Sequence, residues 1–384
     1  MTGAAAVRPS RAGDDERGRL AQDFVRLCEI ESPSGREGAV AEAVSDELRA
    51  AGLEVEEDAS ARATGSETGN LFARVPGPDG VRTVLLCAHL DTVPLAGPVD
   101  VVREGGAFRN AHEAILGADN KAAVAVLLAC ARRFARLGPP VGIELLFTTC
   151  EELALRGAKE VDRAALRAEF GFVFDHASAI GELIVAAPTY YRVAADFHGT
   201  AAHAGIRPEQ GRSAIGPAVA ALAGMPMGRI DPETTANVGV IEGGSAANVV
   251  AERCRLELEA RSLDDERAGA LVAEMVDRLT AAASEAECDV ETTVEQLFRA
   301  YRLPRNSPPV RAAAAALSAL QIEPVYRSTG GGSDASALIA SGLPVLNVAN
   351  GTERNHQPDE SVTVEALETM LDLTLEILAR AAAV

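Results

Sequence analysis

The stretch TVLLCAHLDTV, residues 83–93, joins a short apolar run to two polar side chains that follow it directly. Thr83 to Ala88 is nearly continuous in apolar residues, as expected for a strand that is covered on both faces. His89 and Asp91 then lie at the carboxyl end of this strand, which is where open α/β sheets place their ligands. The stretch therefore predicts a buried parallel sheet with a functional site at its carboxyl edge.

Three further apolar runs have the same character as the first one. They are Ile143 to Phe147, Phe170 to Phe174 and Pro344 to Val348. Helical patterns lie between the runs, and this alternation predicts an α/β fold. We expect a parallel-rich mixed sheet with helices on both faces.

Residues 189–300 follow a different pattern, because apolar and polar residues alternate in several segments. The alternation is clearest in Arg253 to Ser262, as is typical of a half-buried antiparallel strand. The predicted order of elements, β-α-β-β-α-β, is that of a small split βαβ domain whose helices cover one sheet face. We therefore expect a catalytic domain formed by residues 1–188 and 301–384, with residues 1–15 as a mobile tail. Residues 189–300 would be an inserted α+β domain.

The composition excludes several classes of function. Asp and Glu outnumber Lys and Arg by 56 to 36, and the resulting net charge of -20 opposes binding to phosphate backbones and anionic lipids. No apolar stretch approaches the ~20 residues that a membrane span needs, and the amino terminus carries charges in place of an apolar signal core. The six cysteines form no Cys-x-x-Cys pair, which predicts reduced, mostly buried thiols. We expect a cytoplasmic protein with no nucleic-acid or membrane partner.

Further carboxylates and a second imidazole follow the other predicted strands or begin a helix. They are Asp119 at a helix start, the adjacent Glu151 and Glu152, Asp175, and His356 in a polar loop. Each has a simpler interpretation alone, since Asp is a common helix cap and acidic turns are usually solvated. Two imidazoles and three carboxylates on one side of one sheet are nevertheless the ligand set for two zinc-like ions that share a carboxylate bridge. That set is His89, Asp119, Glu152, Asp175 and His356.

The neighbours of these candidates suggest what they would do. A turn at Glu151 and Glu152 would point the two side chains apart, so that one binds metal while the other faces water and substrate. Asp91 can accept the spare ring proton of His89, which leaves the other ring nitrogen free for a metal. Three carboxylates against two divalent cations leave a positive site in which bound water is readily deprotonated. The sequence thus predicts a water nucleophile.

A series of motifs runs along the chain in a definite order. They are Ser32-Pro-Ser-Gly35, His89-Leu-Asp91-Thr-Val93, Gly117-Ala-Asp119-Asn-Lys121, Glu151-Glu152, Asp175, Ala202-His203-Ala-Gly205, Asn248 and Gly330-Gly-Gly-Ser-Asp334. The motifs and their order resemble a known family, the co-catalytic zinc peptidases and deacylases, which includes carboxypeptidase G-type enzymes, succinyl-diaminopimelate desuccinylase, aminoacylase and peptidase T. The resemblance covers nearly the whole chain from Phe24. An Asp at position 175, together with the Gly-Ala-Asp and Ala-His-Ala-Gly motifs, looks most like the peptidase T-like subgroup.

The resemblance implies a zinc exopeptidase-like fold and specific roles for the candidates. The implied ligands are His89 and Asp175 for one ion, Glu152 and His356 for the other, and Asp119 as the bridge. Asp91 would orient His89, and Glu151 would be the general base. The resemblance implies two divalent ions, with zinc expected first and cobalt or manganese as alternatives.

The inserted domain would supply contacts to the substrate. The resemblance implies that His203 stabilises the oxyanion, often in the site of a neighbouring subunit, so the domain would be a lid that also forms a homodimer. Asn248 and Arg261 resemble contacts to a substrate carboxylate, and Gly331 and Gly332 are expected to bind the substrate. Alone, His203 could be an ordinary loop histidine and Arg261 a surface ion pair.

The expected activity is hydrolysis of an amide bond in a short peptide, as an aminopeptidase on di- and tripeptides. One alternative is an N-acyl amino acid deacylase or carboxypeptidase of the same fold. Another, of a different class, is a catalytically silent relative that binds peptides. The intact Glu151 argues against the silent relative, which would have no need for a base beside the metals.

Overall fold

The computed structural model describes residues 11–384, which form two compact units. The first unit contains the described residues up to Val185 together with Arg302–Ser328 and Gly332–Val384. The second unit contains Ala186–Tyr301 and the short stretch Thr329–Gly331. Residues 1–10 of the predicted mobile tail lie outside the described residues, and the first helix already begins at Asp14.

The described part of the chain contains the following α-helices: α1 (Asp14–Cys28), α2 (Gly38–Ala50), α3 (Ala61–Thr64), α4 (Ala118–Leu137), α5 (Arg156–Lys159), α6 (Ile215–Ala223), α7 (Asp265–Glu285), α8 (Pro308–Ala319), α9 (Asp334–Ala340) and α10 (Val364–Ala381). None of these helices is long and apolar enough to cross a membrane.

The strands begin with β1 (Val55–Glu57), β2 (Leu71–Val75), β3 (Thr83–His89), β4 (Val101–Glu104), β5 (Ala107–Asn110), β6 (Gly142–Thr148), β7 (Phe170–Val173), β8 (Glu182–Ala187) and β9 (Thr189–His198). The later strands are β10 (Gly228–Asp231), β11 (Thr234–Gly243), β12 (Arg253–Ser262), β13 (Asp289–Phe298), β14 (Tyr301–Arg302), β15 (Val325–Ser328), β16 (Val345–Val348), β17 (Thr352–Glu353) and β18 (Ser361–Thr363).

The large sheet has nine strands in the order β1-β2-β6-β3-β7-β16-β8-β14, with β15 paired to β8. Its centre is parallel, because β3 pairs in parallel with β6 and β7, and β7 with β16. These four strands are the apolar runs predicted from the sequence. The outer pairs β1–β2, β2–β6 and β16–β8 are antiparallel. The prediction of a mixed α/β sheet is therefore confirmed, with its parallel strands at the centre.

The apolar runs of these strands are explained by burial on both sheet faces. Val84 and Leu86 of β3 belong to the main apolar core, which also includes side chains of α1, α4, α8 and α10. Leu85 and Cys87 point to the opposite face, where a second cluster includes Leu338 of α9. Successive side chains of a strand alternate between faces, so a strand covered on both sides needs apolar residues throughout.

A small antiparallel sheet of four strands, in the order β17-β18-β5-β4, also forms in the first unit. It pairs Ser361 with Arg109 and Thr363 with Ala107. The sequence did not predict this sheet, because strands of two to four residues are too short to produce a recognisable alternation. This sheet positions two candidate ligands, since β5 precedes Asp119 along the chain and β17 and β18 flank His356.

The second unit contains an antiparallel sheet in the order β10-β11-β12-β9-β13. Leu256 and Leu258 of β12 share an apolar core with Leu271 and Met275 of α7, and α6 contributes to the same core. This burial explains the alternation in β12, whose opposite side chains are charged. The short β10 is an addition to the predicted elements.

Candidate active site

The five candidate metal ligands lie together at the carboxyl end of the parallel strands. His89 is the last residue of β3, and Asp175 follows β7. Glu152 follows β6, while His356 lies in the hairpin between β17 and β18. Asp119 comes from the first turn of α4 instead of a strand end. Segments from distant parts of the sequence thus converge on one place.

Asp119 lies between the two imidazoles. Its Oδ1 is 3.3 Å from His89 Nε2, and its Oδ2 is 3.2 Å from His356 Nε2. Asp175 Oδ1 is 3.7 Å from His89 Nε2, while Glu152 Oε1 is 2.8 Å from His356 Nε2. The arrangement is therefore two small groups of ligand atoms that have one carboxylate in common.

Several of these atoms are buried without a hydrogen-bond partner. They are His89 Nε2, Asp119 Oδ1 and Glu152 Oε1, which approach other members of the cluster without hydrogen-bond geometry. Ligand atoms of His89, Asp119 and Glu152 lie within 4.8 Å of one another, as do those of His89, Glu151 and Asp175. Buried polar atoms without partners are costly, and a shared cation would satisfy them. The residues present therefore fit divalent metal ions.

The charges of the cluster lead to the same conclusion. Burial alone would lower the pKa of His89, but the nearby carboxylates of Asp119, Asp175 and Asp91 raise this pKa well above its usual value. Asp119 and Glu152 raise the pKa of His356 to about 10. The carboxylates thus favour a positive charge within the cluster. A divalent cation bound between them would supply this charge.

Glu151 has the opposite shift. Burial raises the pKa of its carboxyl group well above the usual value, and the negative charge of Asp175 adds to this effect. Its side chain is only 8% exposed, so water does little to stabilise the ionised form. A carboxyl group with a raised pKa beside candidate ligands is suited to proton transfer.

Asp91 is fully buried and contacts both sides of the site. His89 Nδ1 is 2.9 Å from the backbone oxygen of Asp91 and 3.4 Å from its Oδ1, so the main-chain carbonyl is the nearer acceptor. The Asp91 carboxylate accepts the backbone N–H groups of Glu151 at 2.9 Å and Glu152 at 3.1 Å. The hydroxyl of Ser34 also donates to it at 2.6 Å. Asp91 is therefore placed to hold the glutamate turn as well as His89.

The glutamate turn begins with an unusual backbone conformation. Cys150 has a φ of 52°, in the left-handed region that few residues other than glycine adopt. Its N–H donates to Glu37 Oε1 at 3.0 Å, and its Sγ is 3.3 Å from the same oxygen. Burial raises the pKa of the Cys150 thiol to about 12, so this cysteine packs and does not act as a thiolate. The turn points Glu152 toward His356 and leaves Glu151 near His89.

Sequence reasoning gave no role to two buried glutamates next to the site, Glu37 and Glu360. Each accepts backbone N–H groups from a segment that carries a candidate residue. No pattern identifies such residues, because a glutamate becomes buried only through partners that are distant in sequence. Only their closeness in sequence to the recognised motifs could have identified them, since Glu37 follows Ser32-Pro-Ser-Gly35 and Glu360 follows His356.

In the second unit, the structure brings together the segments of His203 and Asn248. His203 is exposed and forms an isolated bridge with Val249, and the N–H of Ala204 donates to the Asn248 carbonyl at 2.9 Å. Both side chains are therefore presented on neighbouring loops, and their substrate contacts stay predictions.

Arg261 already has several partners within the second unit. Its guanidinium carbon lies 3.9 Å from the ring centroid of Tyr190, and Nη2 donates to Glu259 at 2.9 Å. Nη1 donates to the carbonyl of Gly330 at 3.0 Å, while the N–H of neighbouring Gly331 donates to its own loop. Gly332 belongs to the first unit. A substrate carboxylate at Arg261 would have to compete with Glu259.

The chain is similar to several known proteins. The model of "Peptidase family M20/M25/M40" matches residues 85–380. An aminopeptidase PepT structure from Bacillus cereus has a TM-score of 0.87 at 34% identity, over 95% of this chain and 99% of that one. A tripeptidase structure from Staphylococcus aureus has a TM-score of 0.91 at 33% identity, over 95% and 98%. An uncharacterized Bacillus subtilis protein, YqjE, is 34% identical over 95% of this chain and 98% of its own.

Proposed function

Because the chain belongs to peptidase family M20/M25/M40, we propose that it is a dinuclear metal-dependent aminopeptidase acting on di- and tripeptides. Its similarity to an aminopeptidase PepT and to a tripeptidase supports the substrate class. The observation that carries the metal chemistry is the position of Asp119, whose two carboxylate oxygens face different imidazoles.

The proposed ligands follow from the two groups of atoms that share Asp119. His89 and Asp175 would hold one divalent ion, Glu152 and His356 the other, and Asp119 both. Zinc suits this set of imidazole and carboxylate donors, and cobalt or manganese would also be accepted. The unpartnered buried atoms of the cluster support this assignment.

The ions, when bound, would polarise the scissile carbonyl and lower the pKa of a water molecule. Glu151 accepts a proton from the attacking water and passes it to the leaving amine. Asp91 keeps Glu151 in position, because the Asp91 carboxylate accepts the backbone N–H of Glu151 at 2.9 Å. The same residue fixes the ring orientation of His89 through its main-chain carbonyl.

The second unit is proposed as a lid that also forms a homodimer. His203, on an exposed loop, would donate a hydrogen bond to the oxyanion. Asn248 and Arg261 would contact the substrate carboxylate, and Arg261 would exchange its ion pair with Glu259 for one with the substrate. Gly331 and Gly332 would also bind the substrate. The cytoplasmic location predicted from the sequence is part of the same proposal.

A screen of the metal-loaded protein against di- and tripeptides with free or acetylated amino termini tests this function. We expect release of amino-terminal residues from free peptides and little hydrolysis of acetylated ones. Cleavage of acetylated substrates alone would identify a deacylase, and release of carboxyl-terminal residues a carboxypeptidase. A protein that binds two ions but cleaves no peptide in the set would be the silent relative.

A further inference from the structure

Glu360 is a buried carboxylate that is surrounded by backbone donors. It is 1% exposed and lies directly before β18. Its Oε2 accepts the N–H groups of Leu116 and Gly117, both at 2.8 Å, and its Oε1 accepts the N–H of Asp119 at 2.9 Å. These three N–H groups supply hydrogen bonds to both oxygens of the buried carboxylate.

These three donors belong to the segment that carries the shared candidate ligand. The segment runs from the end of β5 to the start of α4, where the first N–H groups of a helix lack partners within the helix. Asp119 itself has a non-helical ψ of 104°, so regular helix geometry does not fix its position. The contacts to Glu360 therefore hold the backbone at this point.

Glu360 is also tied to the segment that carries His356. It lies four residues after His356 in the same hairpin, and its own N–H donates to the carbonyl of Gln357 at 3.0 Å. His356 has a φ of 65°, a conformation that persists only when the surrounding structure imposes it. One side chain thus joins the backbone of the Asp119 segment to the hairpin of the second imidazole.

The small sheet explains why such a link is needed. The ladder between β18 and β5 aligns Ser361 with Arg109, so it brings the two segments alongside each other. The ladder ends at β5, and the chain then runs on through residues 111–117 before it reaches Asp119. The β5–β18 ladder does not extend over these residues. Glu360 instead connects the β18 segment to residues 116–119 through its side chain.

We propose that Glu360 is a positioning residue that sets the spacing between Asp119 and His356 and thereby preorganises the site for its two ions. The inference rests on the proposed function, because it assumes that both residues bind metal. Glu360 would touch neither ion nor substrate. Partners that orient metal ligands usually contribute 10- to 100-fold to metal affinity.

The test variant is Glu360→Gln, which keeps the size of the side chain. One oxygen can still accept an N–H, but the amide nitrogen would face a backbone donor and repel it. A matched control is Glu144→Gln, since Glu144 is also 1% exposed and accepts the N–H groups of Arg167 at 2.8 Å and Ala168 at 2.7 Å. Those two donors carry no candidate ligand, so the control reports the cost of disturbing a buried carboxylate.

The measurement is the affinity of each metal-free protein for zinc ions alone, by competition with a chromophoric chelator well below the lowest Tm. Glu360→Gln should bind zinc roughly 10- to 100-fold more weakly than the wild type. Glu144→Gln should lower Tm but leave the zinc affinity unchanged. Wild-type affinity in a folded Glu360→Gln protein would overturn the proposal, because Glu360 would then be a structural residue only.

A second variant, Glu360→Asp, keeps the charge but shortens the side chain, and it decides the matter if Glu360→Gln does not fold. It should fold and bind zinc more weakly than the wild type, whereas unchanged affinity would overturn the proposal. Failure of the metal assignment gives a different result, since the wild-type protein itself would then bind no zinc pair. Failure of the peptidase activity alone would appear in the peptide screen and would leave the zinc affinities unchanged.

Discussion

Glu151 and Glu152 are adjacent in sequence, yet the structure predicts opposite results for the same substitution at each. Glu152 Oε1 lies 2.8 Å from His356 Nε2, among the candidate ligands. Glu151 is held by its backbone N–H, 2.9 Å from Asp91, so Glu151→Gln leaves this anchor intact. Glu151→Gln should therefore keep both ions, and Glu152→Gln should lose metal.

The size of the effect at Glu151 follows from the role of a general base. A positioned base contributes about 10²- to 10⁴-fold to turnover, or roughly 3 to 5 kcal/mol of activation free energy. Gln cannot accept the proton, so this entire factor should be lost. In the metal-free protein, burial raises the pKa of Glu151, which means that the ionised form is unfavourable when folded. Glu151→Gln should therefore not lower the Tm of the metal-free protein at pH 7.

Metal content by elemental analysis and initial rates on a free tripeptide test both variants. Loss of metal from Glu151→Gln would show that this residue is a ligand. It would then share an ion with His89 and Asp175, because ligand atoms of these three residues lie within 4.8 Å of one another. Wild-type turnover in Glu151→Gln would place the base elsewhere. If Glu151→Gln lost metal, and Glu152→Gln kept both ions but lost turnover, the two roles would be exchanged.

Two further predictions concern other parts of the chain. His203→Ala should lower turnover by about 10²- to 10³-fold without changing metal content, as expected for one oxyanion donor, and full activity of this variant would remove His203 from the mechanism. If His203 acts across a homodimer, mixing its variant with Glu151→Gln chains should restore activity, and no recovery after proven subunit exchange would exclude that arrangement. Cys288 is the half-buried member of six free cysteines, so a thiol reagent should modify it first in the native protein, and rapid modification of several thiols would contradict the burial of the others.

The sequence was sufficient to predict the centre of the sheet and the grouping of the candidate ligands at one edge of it. Four apolar runs predicted β3, β6, β7 and β16, because strands buried on both faces carry their signal locally. The rule that ligands collect at the carboxyl ends of parallel strands then placed His89, Glu152 and Asp175 at one edge. Asp119 and His356 reach the same edge from a helix start and from the hairpin of the small sheet. Local patterns and one rule of topology were enough for this part.

The connections around the site could not be predicted in the same way. The small sheet uses strands of two to four residues, and the burial of Glu360 depends on donors more than 240 residues away in sequence. Asp91 was expected to hold His89 through its carboxylate, but the backbone carbonyl is nearer and the carboxylate accepts the glutamate N–H groups. Such details depend on which backbone donors the tertiary structure leaves unpaired.

The central claim is that Asp119 bridges two ions, and anomalous diffraction from crystals of the zinc-loaded protein tests it most directly. The proposal predicts two peaks per chain, about 3.5 to 4 Å apart, with one Asp119 oxygen bound to each. His89 and Asp175 should complete one site, and Glu152 and His356 the other. A single peak, or two peaks without Asp119 between them, would contradict the claim.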